Sequence, residues 1–250
     1  RTLGADISYK NKEGYPPLLI TGKQLNGGKV EINGNVSSQF ITALLLVAPY
    51  FTNGLELTIV GELVSKPYVN MTIELMKEFG ASVIWQENKI VVKAVPYTYT
   101  KKEFLVEGDW SAASYYYSIV ALSNLNTSLQ IDGLFQNSLQ ADAMCVDIYK
   151  NFGVTTSFSE NKITIAKSSE ILKKEFSYNF IECPDIAQTV TCTSVGLNSP
   201  FTFKGLQTLK VKETDRIVAL KNEFLKLGIE LVVTDNSIQW LGNNNINKST

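Results

Sequence analysis

Histidine is absent from the sequence, which removes the commonest general base near neutral pH and the commonest metal ligand. Carboxylates, lysines and hydroxyls must carry any chemistry. Cysteine is scarce: Cys145, Cys183 and Cys192 show no metal-ligand pairing, and the odd count favours reduced thiols in a cytosolic setting. Cys183 lies two residues before Asp185, but with no histidine to activate it, it reads as a packed thiol. Long apolar runs are missing too. The longest, Ile41–Val47, falls far short of the roughly 20 residues that span a bilayer, so no membrane role is expected. Charge of one sign is not in excess: the net charge of −1 argues against a nucleic-acid surface, and an anionic ligand must be held by local positive charge. The chain opens at Arg1 without a methionine or signal-like segment and reads as a piece of a longer protein.

What is present is a repeat. Four segments share a helix end at glycine followed by a hairpin, with Gly4, Gly80, Gly153 and Gly228 spaced 76, 73 and 75 residues apart. Each glycine falls where a helix C′ residue needs positive φ. An alternating strand follows, then a short polar turn such as Glu87-Asn88-Lys89, Glu160-Asn161-Lys162 or Asp235-Asn236-Ser237, then a second strand. Each unit reads strand, helix, strand, helix, hairpin. In the unit starting near Val30 the elements are Val30–Ile32, Ser37–Val47, Leu55–Val60, Pro67–Phe79, Ser82–Trp85 and Ile90–Val92.

The two helices of a unit differ. The second, in Met71–Phe79, Met144–Phe152 and Ile217–Leu227, alternates apolar and charged residues and should lie on a sheet with one wet face. The first, in Ser37–Val47, Ser111–Leu122 and Ile186–Val195, carries almost no charge, and a helix neutral all round is expected to be buried. The repeats therefore predict an α/β (α+β) fold of βαβαββ units in an inverted α/β barrel, with parallel helices inside, sheets outside, and helix N-termini converging toward a ligand. Ala94–Phe104, with its proline and alternating Tyr and Thr, looks like a connection between units.

Three related helix starts carry the candidate chemistry: Gly34–Phe40, Gly108–Ala113 and Pro184–Thr189. In the first, Asn35 reads as the cap, with Ser37, Ser38 and Gln39 offering hydroxyls and an amide to an oxyanion; ordinary capping accounts for the same residues. Ser65 stands at the start of a second helix, before Lys66 and Pro67, and Tyr68 follows as a ring-facing hydroxyl. Lys210–Arg216 packs lysines, acids and a guanidinium around another helix start. It fits either a solvated first turn with Glu213 pairing Arg216, or an anion site dominated by Lys212 and Arg216, since cations at a positive helix end oppose the macrodipole. Asp185 is either a simple N-cap or a carboxylate base aimed at the ligand.

Taken together, Gly34-Asn35-Val36-Ser37-Ser38-Gln39-Phe40, Val64-Ser65-Lys66-Pro67-Tyr68, Val106-Glu107-Gly108-Asp109, Pro184-Asp185 and Val211-Lys212-Glu213-Thr214-Asp215-Arg216 resemble the 3-phosphoshikimate 1-carboxyvinyltransferase (EPSP synthase) family, in the family's order and over essentially the whole chain. The last run is the most specific, because related UDP-N-acetylglucosamine enolpyruvyl transferases lack it. The resemblance implies transfer of the enolpyruvyl group of phosphoenolpyruvate to the 5-hydroxyl of shikimate 3-phosphate, through a tetrahedral intermediate, with no metal or organic cofactor. It also implies two domains, here residues 1–106 and 107–250, each incomplete, in a cytoplasmic monomer.

Carried over by motif, Ser37, Ser38 and Ser65 would bind the shikimate phosphate, and Gln39 and Tyr68 the ring region. Asp185 would take the hydroxyl proton, Lys212 would hold substrate and assist proton transfer, Glu213 would handle the methylene proton, and Arg216 would bind phosphoenolpyruvate. Thr208 occupies a slot where many members have a substrate-contacting Asn. The family's N-terminal lysine segment, the arginine-rich loop before Arg1 and the C-terminal histidine-arginine and lysine motifs have no counterpart here, so the isolated chain is expected to be inactive or nearly so. Two rivals remain: a nucleotide-sugar enolpyruvyl transferase, and a non-catalytic repeat module that binds a phosphorylated metabolite.

Overall fold

The computed structural model describes residues 1–35, 37–64, 66–170 and 175–242. Its backbone divides into two compact units, Arg1–Glu103 and Phe104–Thr250.

The first unit begins with an antiparallel hairpin of β1 (Asp6–Tyr9) and β2 (Leu18–Thr21). There follow β3 (Gly28–Asn33), α1 (Ser38–Val47), β4 (Leu55–Val60), α2 (Lys66–Glu78), β5 (Val83–Gln86) and β6 (Lys89–Val92). They form a sheet in the order β3-β4-β6-β5, with β3 parallel to β4 and the other pairs antiparallel. The second unit has α3 (Trp110–Leu122), β7 (Ser128–Asp132), α4 (Cys145–Lys150), β8 (Val154–Ser159) and β9 (Lys162–Lys167), with sheet order β7-β9-β8. It then repeats the full pattern as β10 (Phe176–Asn179), α5 (Ala187–Gly196), β11 (Phe201–Lys204), α6 (Arg216–Lys226), β12 (Val232–Val233) and β13 (Ser237–Trp240), in the order β10-β11-β13-β12. Two sheets thus share one topology: a parallel pair needs a crossover helix, and an antiparallel pair needs only a tight turn. The architecture is mixed α/β, and among the described residues no sheet closes on itself.

The four repeat glycines all have positive φ: +94° at Gly4, +86° at Gly80, +77° at Gly153 and +74° at Gly228. Their surroundings differ. A Cβ on Gly153 would stand 2.0 Å from the Ser169 carbonyl oxygen, whereas one on Gly228 meets nothing within 4 Å. Gly228→Ala is therefore expected to cost about 1–2 kcal/mol, the strain of a left-handed alanine. Gly153→Ala should cost clearly more, because backbone must also move; chemical denaturation of the two variants measures the difference.

In the second unit the neutral helices are the interior. The Ser114 hydroxyl is hydrogen-bonded to Thr189 Oγ1 (2.9 Å) and the Ser118 hydroxyl to Thr193 Oγ1 (2.8 Å). Both pairs are 75 residues apart in sequence, and that constant offset means α3 and α5 run parallel and in register. Burial of so many hydroxyls on α5 is tolerated because Thr191, Thr193 and Ser194 each donate to the carbonyl four residues back, at 2.8–2.9 Å. The strands around them bury one face only, as in the alternation of β9 and β13.

One expectation is corrected. In α1 only Ile41 and Leu45 are buried, while Phe40, Leu46 and Val47 are exposed. Neutrality around a helix measures its capacity for burial, and burial itself needs a neighbour on each side, which the first unit supplies on one side only. The segment 94–104 runs up to the division between the two units, as expected of a connection. The Thr98 amide donates to the Phe79 carbonyl (2.9 Å), the Tyr97 hydroxyl donates to the Leu46 carbonyl (2.9 Å), and Tyr99 stacks on Phe79, so its first half is strapped to the first unit.

Candidate active site

Topology brings helix starts together within each unit. Because β3 and β4 are parallel, α1 and α2 both leave the same sheet edge. Because β10 and β11 are parallel, the segments following them, which hold Asp185 and Lys212–Arg216, also share an edge.

In the first unit the α1 cap is Ser37, not Asn35. Ser37 has the non-helical φ −54° and ψ 129°, and its Oγ accepts from the Gln39 amide at 3.4 Å. Asn35 sits two residues earlier, in a turn that Gly34 pins against the neighbouring helix start. The Gly34 amide donates to the Val60 carbonyl (2.8 Å) and the Val64 amide to the Gly34 carbonyl (3.2 Å). A Cβ on Gly34 would lie 2.6 Å from the Glu62 carbonyl oxygen. That close approach sets Ser37, Ser38 and Gln39 beside the start of α2, where Tyr68 is half-buried in the first turn. Ser65 lies outside the described residues. Lys66 is turned aside, with its ammonium 5.2 Å from the centre of the Trp85 ring.

In the second unit Asp185 does not cap a helix. It lies in a 3₁₀ turn, Pro184–Ile186, and its carboxylate faces two cations from the neighbouring helix start. Lys212 Nζ is 3.2 Å from Oδ1 and 3.5 Å from Oδ2, and Arg216 Nη1 is 3.2 Å from Oδ1. All three side chains are about three-quarters buried. The sequence shows no cation close to Asp185 because its partners come from 27 and 31 residues downstream.

α6 begins at Arg216, capped by Asp215, whose Oδ1 accepts from the amides of Ile217 and Val218 at 3.1 and 3.0 Å. Lys212 and Glu213 precede the helix instead of forming its first turn, and Lys210 is drawn off to Asp235 at 2.6 Å. The Glu213 carboxylate takes the guanidinium edge-on, with Arg216 Nε donating to Oε1 at 2.8 Å and Nη2 to Oε2 at 2.9 Å. This pair holds the Glu213 carboxyl at about 2, well below its ordinary 4.5. A depressed carboxylate stabilises the fold above its unfolded pKa and loses that contribution as pH falls through the folded one. Carbon-detected titration is expected to place the Glu213 midpoint near 2, rising toward 4.5 in Arg216→Gln.

Thr208 lies in the 3₁₀ segment Gln207–Val211, which packs against Pro184–Ile186. Its side chain is 8% exposed and its hydroxyl makes no hydrogen bond among the described residues. An orphaned buried hydroxyl costs about 1–3 kcal/mol. Thr208→Val is expected to raise the unfolding midpoint while weakening binding of any polyol ligand that uses the hydroxyl, read by denaturation and by calorimetry.

Two neighbours escaped the sequence reading. Gln188 Oε1 accepts from Arg216 Nη1 at 3.4 Å, and its spacing of one helical turn from Asp185 was the available signal. Tyr115, on α3, is the second, its phenol lying within electrostatic reach of Arg216.

The family model for EPSP synthase (3-phosphoshikimate 1-carboxyvinyltransferase) matches residues 1–250. A 3-phosphoshikimate 1-carboxyvinyltransferase of Bacteroides fragilis is 45% identical over 243 residues, covering 97% of this chain and 58% of the relative. That of Haemophilus influenzae is 39% identical over 235 residues, covering 92% and 52%. An EPSP synthase structure from Acinetobacter baumannii superposes with a TM-score of 0.69 at 20% identity, covering 97% of this chain and 55% of that one, a likeness of fold. The chain spans a little over half the length of these relatives. On the full-length match of the family model and the identity to these relatives, the chain belongs to the EPSP synthase family.

Proposed function

We propose that this chain supplies part of an active site that transfers the enolpyruvyl group of phosphoenolpyruvate to the 5-hydroxyl of shikimate 3-phosphate, releasing phosphate. The observation that carries the reading is the placement of Lys212 and Arg216 around Asp185, with Glu213 one contact further out. Asp185 takes the hydroxyl proton as oxygen attacks C2 of phosphoenolpyruvate. The methylene carbon is protonated to a methyl group in the same addition, with Glu213 carrying that proton. Loss of a methyl proton then expels phosphate from the tetrahedral intermediate. Lys212 and Arg216 hold the anionic groups throughout. Ser37, Ser38 and Ser65 bind the shikimate phosphate, Gln39 and Tyr68 face the ring, and Thr208 meets a ring hydroxyl.

The reading includes no metal or organic cofactor and a cytoplasmic, monomeric enzyme. It takes the domains as residues 1–106 and 107–250. Among the described residues no helix is long and apolar enough to cross a membrane. Competition binding tests the substrate: shikimate 3-phosphate should bind, and UDP-N-acetylglucosamine should not displace it. Displacement would favour a nucleotide-sugar enzyme. Robust turnover by a preparation whose intact mass matches these 250 residues alone would overturn the expectation that the isolated chain is inactive.

A further inference from the structure

The Nε–Nη2 edge of a guanidinium is the edge that reads a planar carboxylate with two parallel hydrogen bonds. In this structure that edge of Arg216 carries Glu213, three residues before it, at 2.8 and 2.9 Å. Nη1 is committed to Asp185 and Gln188 at 3.2 and 3.4 Å. The charged groups around the pair are Lys212 and Asp185. Arg216 therefore has no free bidentate edge for a ligand. The two commitments differ in how easily they release. Asp185 is three-quarters buried and shares its Oδ1 with Lys212, whereas the Glu213 side chain is 65% exposed, on a loop ahead of the helix.

We infer that Glu213 stands in for a ligand carboxylate on Arg216, and that substrate binding is an exchange in which the carboxylate of phosphoenolpyruvate takes the Nε–Nη2 edge and Glu213 is released beside it. The inference rests on the proposed role of Arg216 in anion binding. The exchange conserves charge and hydrogen bonds at the guanidinium, and it leaves the displaced carboxylate next to the ligand that displaced it. Its electrostatic consequence has a definite sign: while paired, Glu213 is held at about 2, and release returns it toward its ordinary 4.5. The group assigned to carry the methylene proton thus becomes a better proton carrier only when the substrate is in place. Without ligand the same pairing keeps Arg216 fixed in its plane and neutralised.

Titration of a family-length protein containing this chain with phosphoenolpyruvate tests this, with inorganic phosphate as the probe that lacks a carboxylate. The Arg216 Nε–H proton and the Glu213 carboxyl carbon are followed by NMR, and affinity by calorimetry. Phosphoenolpyruvate is expected to shift both resonances together and to raise the Glu213 midpoint, while phosphate leaves the Glu213 carbon where it is. Glu213→Gln should tighten phosphoenolpyruvate binding about two- to fivefold, the scale of an exposed ion pair. Glu213→Asp keeps the charge but is one methylene short of the edge, so it should tighten binding as well, which simple removal of charge repulsion does not predict. If Arg216→Ala abolishes binding while neither Glu213 variant tightens it and the Glu213 carbon stays still, the exchange is wrong and the anion site stands. If Arg216→Ala leaves binding unchanged, or the wild-type chain gives no response at all, the assignment of the site fails and the exchange with it.

Discussion

Asp185→Asn in a family-length protein containing this chain is expected to lower turnover about 10²–10⁴-fold, the usual contribution of a positioned proton-transfer group. Asn has the shape of Asp and keeps one acceptor oxygen for Lys212 and Arg216, which lie 3.2 Å from Oδ1. What it loses is the ability to take a proton. The same change removes the negative charge lodged between two cations. Phosphoenolpyruvate should therefore bind as well as before or better while kcat collapses, and steady-state kinetics with both substrates varied separates the two effects. Unchanged turnover would support the alternative of a non-catalytic module that binds a phosphorylated metabolite.

The largest structural effect is expected at Phe203. Its side chain is fully buried, and its ring centre lies 4.3 Å from that of Phe201, 5.1 Å from Phe180 and 5.7 Å from Phe176. Truncating a buried phenylalanine to alanine costs about 3–5 kcal/mol, from lost transfer energy and an unfilled cavity. Against a typical stability of about 5–15 kcal/mol that is a large fraction. Because the chain forms two compact units, each with its own core, the loss should be confined to the second. Hydrogen exchange resolved by residue is the suitable measurement: protection in α5 and β11 should fall, and that in β4 and α2 should not. A loss below about 1 kcal/mol, or one shared equally by both units, would contradict this account of the core.

These two positions differ in how visible they were. Phe203 lies in the strand Phe201–Lys204, whose alternate residues Phe201 and Phe203 face the core, a period-two pattern of the kind that local sequence specifies. Local patterning exposed the repeat because each element is specified by neighbours a few residues away. Gly80, Gly153 and Gly228 end the second helix of a unit, and they and Gly4 all adopt the positive φ expected of them. The topology of two sheets, a parallel pair followed by a hairpin, is likewise written in the order and length of the elements.

Asp185 was different. From its neighbours it read equally well as a cap or as a base, because its partners are distant in sequence and reach it only when parallel β10 and β11 deliver two helix starts to one edge. The exposure of Phe40, Leu46 and Val47 on α1 was hidden for the same reason: composition says which residues can be buried, and only packing decides which have something to be buried against. By itself, then, the sequence determined the repeat, the element order, the glycine turns and the residue types available for chemistry, all properties of short-range sterics and hydrophobic period. Only the tertiary structure decided that Asp185 lies between Lys212 and Arg216, because that depends on where separate segments meet, whereas the Ser37 cap of α1 and the pairing of Glu213 with Arg216 are local contacts over two and three residues.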